Sequence, residues 1–204
     1  GLAPVYIPKP PARGIAAEGA VAYRGGMWEL PVVIGAGGIV LLYRPPKEVM
    51  LAVTTRIALA EPVCVLDAGN QFDAWQVARL ARRHTVELDR VLGRLQVARA
   101  FTCYQVVSLF EQASAAAVAH VVFNLLATFC DESVPLDESY RLLKIVTGHL
   151  NRLRDSTPVV ILSVYPPRQK ERLGLVQPVL KLADHTFIWD EPEQQDPVAR
   201  RLPL

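Results

Sequence analysis

The residues best placed to do chemistry in this sequence are those that closely follow or interrupt its short apolar runs. Four of them carry charged or polar side chains: Arg44, Lys47, Asp67 and Asn124. If the apolar runs form a parallel sheet, their carboxyl ends meet at one edge, where α/β proteins bind their ligands. A lysine at such an edge can neutralise a phosphate, and a carboxylate can hold Mg²⁺. Phosphate chemistry is therefore the first chemistry to test against these residues.

Other kinds of chemistry find little support in the residue spacing. The three cysteines are odd in number, widely separated and without a Cys-x-x-Cys pair, so neither a disulfide framework nor a zinc site is indicated. The four histidines show no metal-ligand spacing. Ser163 lacks the Gly-x-Ser-x-Gly elbow of hydrolases. We therefore predict no metal site, no cofactor and no hydrolase triad.

The composition excludes several classes of protein. Of the 204 residues 51% are hydrophobic, and 22 Lys and Arg against 20 Asp and Glu leave a net charge of +2. So small a charge argues against an acidic disordered protein and against a nucleic-acid packer that binds through bulk charge. The apolar stretch 32–43 is shorter than the ~20 residues of a membrane span, and 115–130 is broken by His120 and Asn124. Since the N-terminus also lacks a signal-peptide pattern, we expect a cytoplasmic protein that does not contact membranes.

The elements that must position these residues alternate along the chain. Apolar runs predict strands at 39–43, 62–66, 95–101, 120–127, 158–165 and 185–189. Helical spacing of apolar residues predicts helices at 47–59, 72–83, 88–92, 104–116 and 136–154. This alternation predicts an α/β domain with a mainly parallel sheet and helices on both faces. We place this core at 32–190, between a proline- and glycine-rich N-terminal arm at 1–31 and an irregular tail at 191–204.

Four runs in this order resemble the ATPase core of the RecA/RadA recombinase superfamily. They lie at 65–72 (VLDAGNQF), 91–101 (VLGRLQVARAF), 121–129 (VVFNLLATF) and 158–163 (PVVILS). The resemblance covers roughly 35–190. It implies a RecA-like sheet of the P-loop NTPase type, and it also implies where each part of an ATPase would lie.

The phosphate loop is the first part that fails. A P-loop needs Gly-x-x-x-x-Gly-Lys-Ser/Thr, because backbone N–H groups must curl around the phosphates. Here only Arg44, Pro45 and Pro46 separate the strand from the helix, without a glycine, and a proline has no N–H. Lys47 takes the place of the family's lysine, but Glu48 replaces the hydroxyl residue that holds Mg²⁺.

The other positions also lack the residues that an ATPase of this family needs. By the resemblance, the catalytic glutamate falls at Gly69, the magnesium-linked aspartate at Asn124 and the polar sensor residue near Val164. Asp67 alone stays acidic, and we interpret it as a cap of the turn or of the following helix. We therefore predict a RecA-like domain without a working ATPase, in which the degenerate nucleotide-site positions are Arg44, Lys47, Asp67, Gly69 and Asn124.

Two basic segments remain as candidates for binding. In the recombinases the loop after the strand that corresponds to 158–165 contacts single-stranded DNA, so the resemblance suggests phosphate contacts at Arg168, Lys170 and Arg172. The other segment has Arg79, Arg82 and Arg83 on one predicted helix, followed by Arg90, Arg94 and Arg99. We interpret it as a solvated face, with a functional patch as the alternative.

The leading hypothesis is a non-catalytic RecA-like protein that acts by binding, as an accessory factor in DNA repair or recombination. Its expected partners are single-stranded DNA and a protein of the recombination machinery, reached through the sheet-end loops or the N-terminal arm. One alternative is an enzyme or small-ligand binder with a remodelled site near Asp67, Asn124 and Ser163. The other is a structural oligomerisation module with no role in nucleic-acid binding, and the oligomeric state stays open.

Overall fold

Eight strands form one sheet in the computed structural model, which describes residues 14–15, 21–24, 38–113 and 118–189. The strands are β1 (Gly14–Ile15), β2 (Val21–Arg24), β3 (Ile39–Tyr43), β4 (Val63–Asp67), β5 (Leu95–Arg99), β6 (Ala119–Phe123), β7 (Val160–Val164) and β8 (His185–Ile188). Their order across the sheet is β1-β2-β8-β3-β7-β6-β4-β5. Only the β1–β2 pair is antiparallel among these strands.

Six α-helices accompany the sheet in the described ranges. They are α1 (Lys47–Ala60), α2 (Ala74–Ala81), α3 (Leu88–Leu92), α4 (Cys103–Gln112), α5 (Leu136–Ser156) and α6 (Val176–Leu182). Two 3₁₀ segments, Ala127–Cys130 and Lys170–Leu175, follow β6 and β7. The fold class predicted from the sequence, α/β with a mainly parallel sheet, is confirmed and is consistent with a RecA-like fold.

The two faces of the sheet carry separate apolar cores, because successive side chains of a strand point to opposite faces. In β3, Ile39 and Leu41 pack on the face covered by α4, α5 and α6, whereas Val40 and Leu42 pack on the face covered by α1, α2 and α3. All four side chains are fully buried. Helices therefore cover both faces, as a continuous apolar strand requires.

The segment predicted as an N-terminal arm contributes to the sheet. Within 1–31, Val21–Arg24 pairs in parallel with β8, and Gly14–Ile15 pairs with Val21–Arg24. The remainder of that segment, residues 32–37 and the predicted tail 191–204 lie outside the described residues. The sheet thus extends beyond β8 through residues that the proline and glycine content assigned to an arm.

The carboxyl ends of the parallel strands meet at one edge, and this edge is where the candidate residues lie. Cα pairing sets Tyr43 beside Val164 and sets Asp67 between Arg99 and Phe123. The ends of β3, β4, β6 and β7 are therefore neighbours in the middle of the sheet, and β5 forms its outer limit. We call the strand ends that hold Arg44, Asp67, Gly69, Asn124 and Ser163 the central edge.

Candidate functional site: the carboxyl edge of the sheet

The turn after β3, residues 44–46, has a single backbone N–H, that of Arg44. Arg44 adopts a left-handed backbone with φ of 58° and donates its N–H to the carbonyl of Val164 at 2.8 Å. Pro45 and Pro46 have no N–H, and α1 begins directly at Lys47. A phosphate loop works through several free N–H groups. The degenerate turn expected from the sequence is therefore tight, and its one amide is used within the sheet.

Lys47 is directed toward a neighbouring helix. Its Nζ lies 3.9 Å from Oδ2 of Asp73, and the lysine side chain is 40% exposed. Asp73 caps α2 by accepting the N–H of Gln76 at 3.1 Å. That hydrogen bond is the main reason why the pKa of Asp73 lies below its ordinary value, and Lys47 lowers it further. Lys47 thus takes part in an exposed ion pair, which contributes little to stability.

Asp67 is a buried carboxylate whose hydrogen bonds lie within the protein. Its Oδ1 accepts the N–H of Gln71 at 2.9 Å, and its Oδ2 accepts the N–H of Phe72 at 3.1 Å and Nε of Arg99 at 2.9 Å. The side chain is fully buried, and Arg99 also donates to the carbonyl of Phe72 at 3.0 Å. Asp67 therefore holds the turn between β4 and α2, with its charge balanced by Arg99.

Gly69 packs so closely against Asn124 that it leaves no room for a side chain. A Cβ added to Gly69 would overlap Cβ of Asn124 and would lie 3.0 Å from its Cγ. Asn124 is held in place because its N–H donates to Oγ of Ser163 at 2.8 Å, and because the following residue, Leu125, donates its N–H to the carbonyl of Ser163 at 3.0 Å. Any side chain at position 69 must displace this arrangement.

Left-handed backbone is concentrated at this edge. In the described ranges three residues other than glycine have positive φ: Arg44 at 58°, Asn70 at 52° and Asn124 at 46°. They follow β3, β4 and β6 respectively. Such conformations are uncommon outside glycine and persist where the surroundings fix them. Here they turn the chain sharply after each strand and leave the central edge compact.

The three predicted DNA contacts in the basic segment after β7 differ in exposure. Arg168 and Lys170 are exposed. Arg172 is only 5% exposed and donates to the carbonyls of Phe129 at 2.8 Å and Val134 at 2.6 Å. It also donates to Oγ of Ser139 at 3.1 Å. Our expectation that Arg172 is a phosphate contact is thus corrected, because its guanidinium is buried and bonded to protein oxygens.

A cavity of about 780 Å³ lies on one face of the sheet, and its lining includes Arg99, the ion-pair partner of Asp67. It opens between α4 and strands β4 to β6, and Cys64, Gln96, Gln105, Gln112 and His120 are among its lining residues. The residues of the expected remodelled site, Asp67, Asn124 and Ser163, do not line it. The cavity therefore adjoins the central edge through Arg99 but does not contain these three residues.

The cavity's cysteine is a poor nucleophile. Burial raises the pKa of the Cys64 thiol above its ordinary value, so the sulfur stays protonated near neutral pH. His120 is fully buried, and its Nδ1 lies 3.0 Å from the carbonyl of Val118. These groups form a polar lining without the arrangement of an activated thiol.

An exposed aromatic surface beside the central edge was missed by the sequence reasoning. Trp75 in α2 is 68% exposed, and Phe101 just after β5 is 65% exposed. The Cζ atom of Arg79 lies 5.2 Å from the centre of the Trp75 ring. The signal was present in the helical spacing, because a helix that buries Val77 and Ala81 must turn Trp75 outward.

Searches for other features and for related proteins add little. No group of three or more His, Cys, Asp or Glu that could hold a metal ion occurs in the described residues. The helices of the described ranges include none with the length and apolar character of a membrane span. No protein-family model matches the chain, and no curated protein does.

Proposed function

We propose that this chain is a non-catalytic member of the RecA/RadA superfamily that acts by binding in the cytoplasm, as an accessory factor in DNA repair or recombination. The observation that carries the proposal is the contact between Gly69 and Asn124. By the resemblance, the catalytic carboxylate of an ATPase of this family would fall at this position, where the packing leaves no room for a side chain.

The remaining geometry of the central edge supports the same conclusion. An ATPase needs backbone donors after β3, a free carboxylate and a hydroxyl or carboxylate for Mg²⁺. The turn at Arg44 has its amide bonded within the sheet, and Asp67 is bonded to Arg99 and two amides. Since each group already has a protein partner, a nucleotide would have to break these interactions in order to bind.

Two exposed cations support DNA as the partner. Arg168 and Lys170 lie after β7, on the same edge as the closed nucleotide site. Cations on such a segment can contact phosphates without reading the sequence of the bases. The exposed Glu171 reduces the local positive charge, so binding should be weak and sensitive to salt.

The cavity under α4 favours a second candidate function, the binding of a small ligand. Its volume of about 780 Å³ lies within the range typical of small-molecule sites. Three glutamines, Gln96, Gln105 and Gln112, give it amide donors and acceptors. Arg99, the one charged group among the described lining residues, is already paired with Asp67, so a polar, uncharged molecule fits this lining better than a nucleoside triphosphate does.

The test of the first proposal is fluorescence anisotropy of a labelled single-stranded oligonucleotide at two salt concentrations, with and without Mg²⁺-ATP. We expect salt-sensitive binding that is indifferent to ATP and is weakened by the double substitution Arg168→Ala/Lys170→Ala. Arg56→Ala/Lys144→Ala is the matched control, because it removes one exposed arginine and one exposed lysine elsewhere.

Two results would overturn the proposal. Mg²⁺-dependent ATP turnover that is lost on Lys47→Ala would show a working nucleotide site. Absence of oligonucleotide binding at low salt would remove DNA as the partner and would leave a protein-binding or oligomerisation module as the better account.

A further inference from the structure

Helix α2 presents an aromatic and cationic stripe, which we define as Trp75, Arg79, Arg82 and Arg83. Trp75 and Arg79 lie within the helix, and Arg82 and Arg83 continue from its end. Spacings of four, seven and eight residues from Trp75 place all four on one side of a helical turn. The stripe extends over ~12 Å, since each residue of a helix rises about 1.5 Å.

Trp75 does not take part in the packing of α2 on the sheet. The helix packs on the sheet through Val77 and Ala81, which are fully buried. The indole is 68% exposed, and Arg79 covers part of it with Cζ 5.2 Å from the ring centre. A cation over an indole face is attracted by the ring's charge distribution. Arg79 thus orients an aromatic ring that keeps most of its surface open.

A second aromatic ring lies at the neighbouring strand end. Arg99 at the end of β5 donates to the carbonyl of Phe72 at 3.0 Å, which ties the end of β5 to the segment just before α2. Trp75 follows Phe72 by three residues, and Phe101 follows Arg99 by two. Phe101 is 65% exposed, and its N–H donates to Oε1 of Gln105 at 2.8 Å. Each exposed ring therefore lies within three residues of the contact between Arg99 and Phe72.

The charge of this region is strongly positive compared with that of the chain. Between positions 74 and 101 there are six arginines and two acidic residues, a balance of +4, whereas the whole chain has +2. Arg90 pairs with Glu87, and Arg94 donates to the carbonyls of Ala58 and Leu59. Arg79, Arg82 and Arg83 form no ion pair with a described residue, so three cations stay beside the exposed rings.

We propose that the α2 stripe, together with Phe101, is a binding surface for single-stranded nucleic acid. Unpaired bases stack on Trp75 and Phe101, and Arg79, Arg82 and Arg83 contact the phosphates. A duplex hides its base faces, so stacking of this kind selects unpaired strands. The site rests on the proposed function in that both take nucleic acid as the ligand, but it lies on α2 and not on the segment after β7.

The experiment measures the anisotropy of a labelled oligonucleotide of about 15 nucleotides, made once as oligo-dT and once as oligo-U, with the full chain. Trp75→Ala should weaken binding at least fivefold, since stacking on one aromatic side chain contributes at least about that factor. Trp75→Phe keeps a ring and should bind nearly as well as the wild type. Comparison of the two oligonucleotides decides whether the natural ligand is DNA, RNA or either.

The arginines have a separate readout in the salt dependence of binding. For single strands each phosphate contact makes the slope of log K against log salt more negative by about 0.7, so Arg79→Ala/Arg82→Ala/Arg83→Ala should make the slope less steep by about 2. Arg56→Ala/Lys144→Ala again serves as the control. These side chains are exposed, so unfolding midpoints should stay near the wild-type value.

The outcomes separate this site from the proposed function. If the wild type binds and only Arg168→Ala/Lys170→Ala weakens binding, the stripe is not the site and the proposed function stands. If the stripe variants weaken binding and Arg168→Ala/Lys170→Ala does not, the stripe is the site. A wild type that binds neither oligonucleotide at low salt overturns the inference and leaves the stripe as a surface for an acidic protein.

Discussion

The central edge of the sheet and the stripe on helix α2 differ in how far their polar groups are bonded within the protein. In the central edge Asp67 is fully buried, and both of its oxygens accept hydrogen bonds from the protein. On the stripe Trp75 is 68% exposed, and Arg82 and Arg83 form no ion pair with a described residue. The difference teaches that residue type alone does not identify a site, because a group that already has its partners has little left to offer a ligand.

The physical reason lies in the cost of exchanging partners. Removing the hydrogen-bond partner of a buried polar group costs about 1–3 kcal/mol of folding free energy. A ligand at the central edge must replace those partners, whereas a ligand on the stripe replaces only water. The closed region therefore stabilises the fold, and the open region is free to bind.

The largest expected effect comes from the buried arginine of the segment after β7. Arg172→Ala should lower the free energy of unfolding by about 3 kcal/mol, because three oxygens lose a charged donor and a cavity remains. Arg168→Ala, four residues earlier and exposed, should change it by less than about 0.5 kcal/mol. Urea unfolding measures both. Equal effects would contradict the division between buried and exposed cations.

A smaller effect is expected at Gly69, which packs closely against Asn124. Gly69→Ala should cost about 1–3 kcal/mol, because the new Cβ overlaps Asn124. Gly148→Ala is the matched control: a Cβ there meets nothing within 4 Å, and alanine favours the helix. The double variant Gly69→Ala/Asn124→Gly should recover stability, since glycine accepts the positive φ of position 124. A Gly69→Ala variant as stable as the wild type would mean that the position is open.

The smallest effect concerns pH and the turn after β3. Tyr165 donates its hydroxyl to the carbonyl of Pro45, and burial, aided by the nearby Glu48, raises its pKa above the ordinary value near 10. A raised folded pKa gives stability that is present below about pH 10 and is lost as the pH rises through the folded value. Tyr165→Phe should therefore be about 1 kcal/mol less stable at pH 7, and the difference should shrink above pH 10. A difference that stays constant with pH would exclude this role.

Much of the fold was predictable because the strands are buried on both faces. The apolar run at 39–43 corresponds to β3 residue by residue, and the proline pair before Lys47 marks the start of α1. The run at 120–127 was predicted too long, since β6 ends at Phe123 and Asn124 turns the chain. Leu125 and Leu126 are buried in that turn, and apolar composition does not distinguish a strand from a buried turn.

The sites were less predictable, because tertiary contacts decide whether a polar side chain is bonded within the protein or open to a ligand. The resemblance located the central edge, but nothing in the sequence shows that Asn124 packs on Gly69 or that Arg172 turns inward. Helix α6 was not predicted. By the resemblance, the segment after β7 was interpreted as a loop. Trp75 was assigned no role, although the spacing of Val77 and Ala81 places it on the outer face of α2.

Isothermal titration calorimetry of Mg²⁺-ATP into the wild-type protein tests most directly the central claim, that the central edge is closed to a nucleotide. The account predicts no saturable heat, meaning no binding with a Kd below about 1 mM. Saturable binding in the micromolar range, lost on Lys47→Ala, would contradict it.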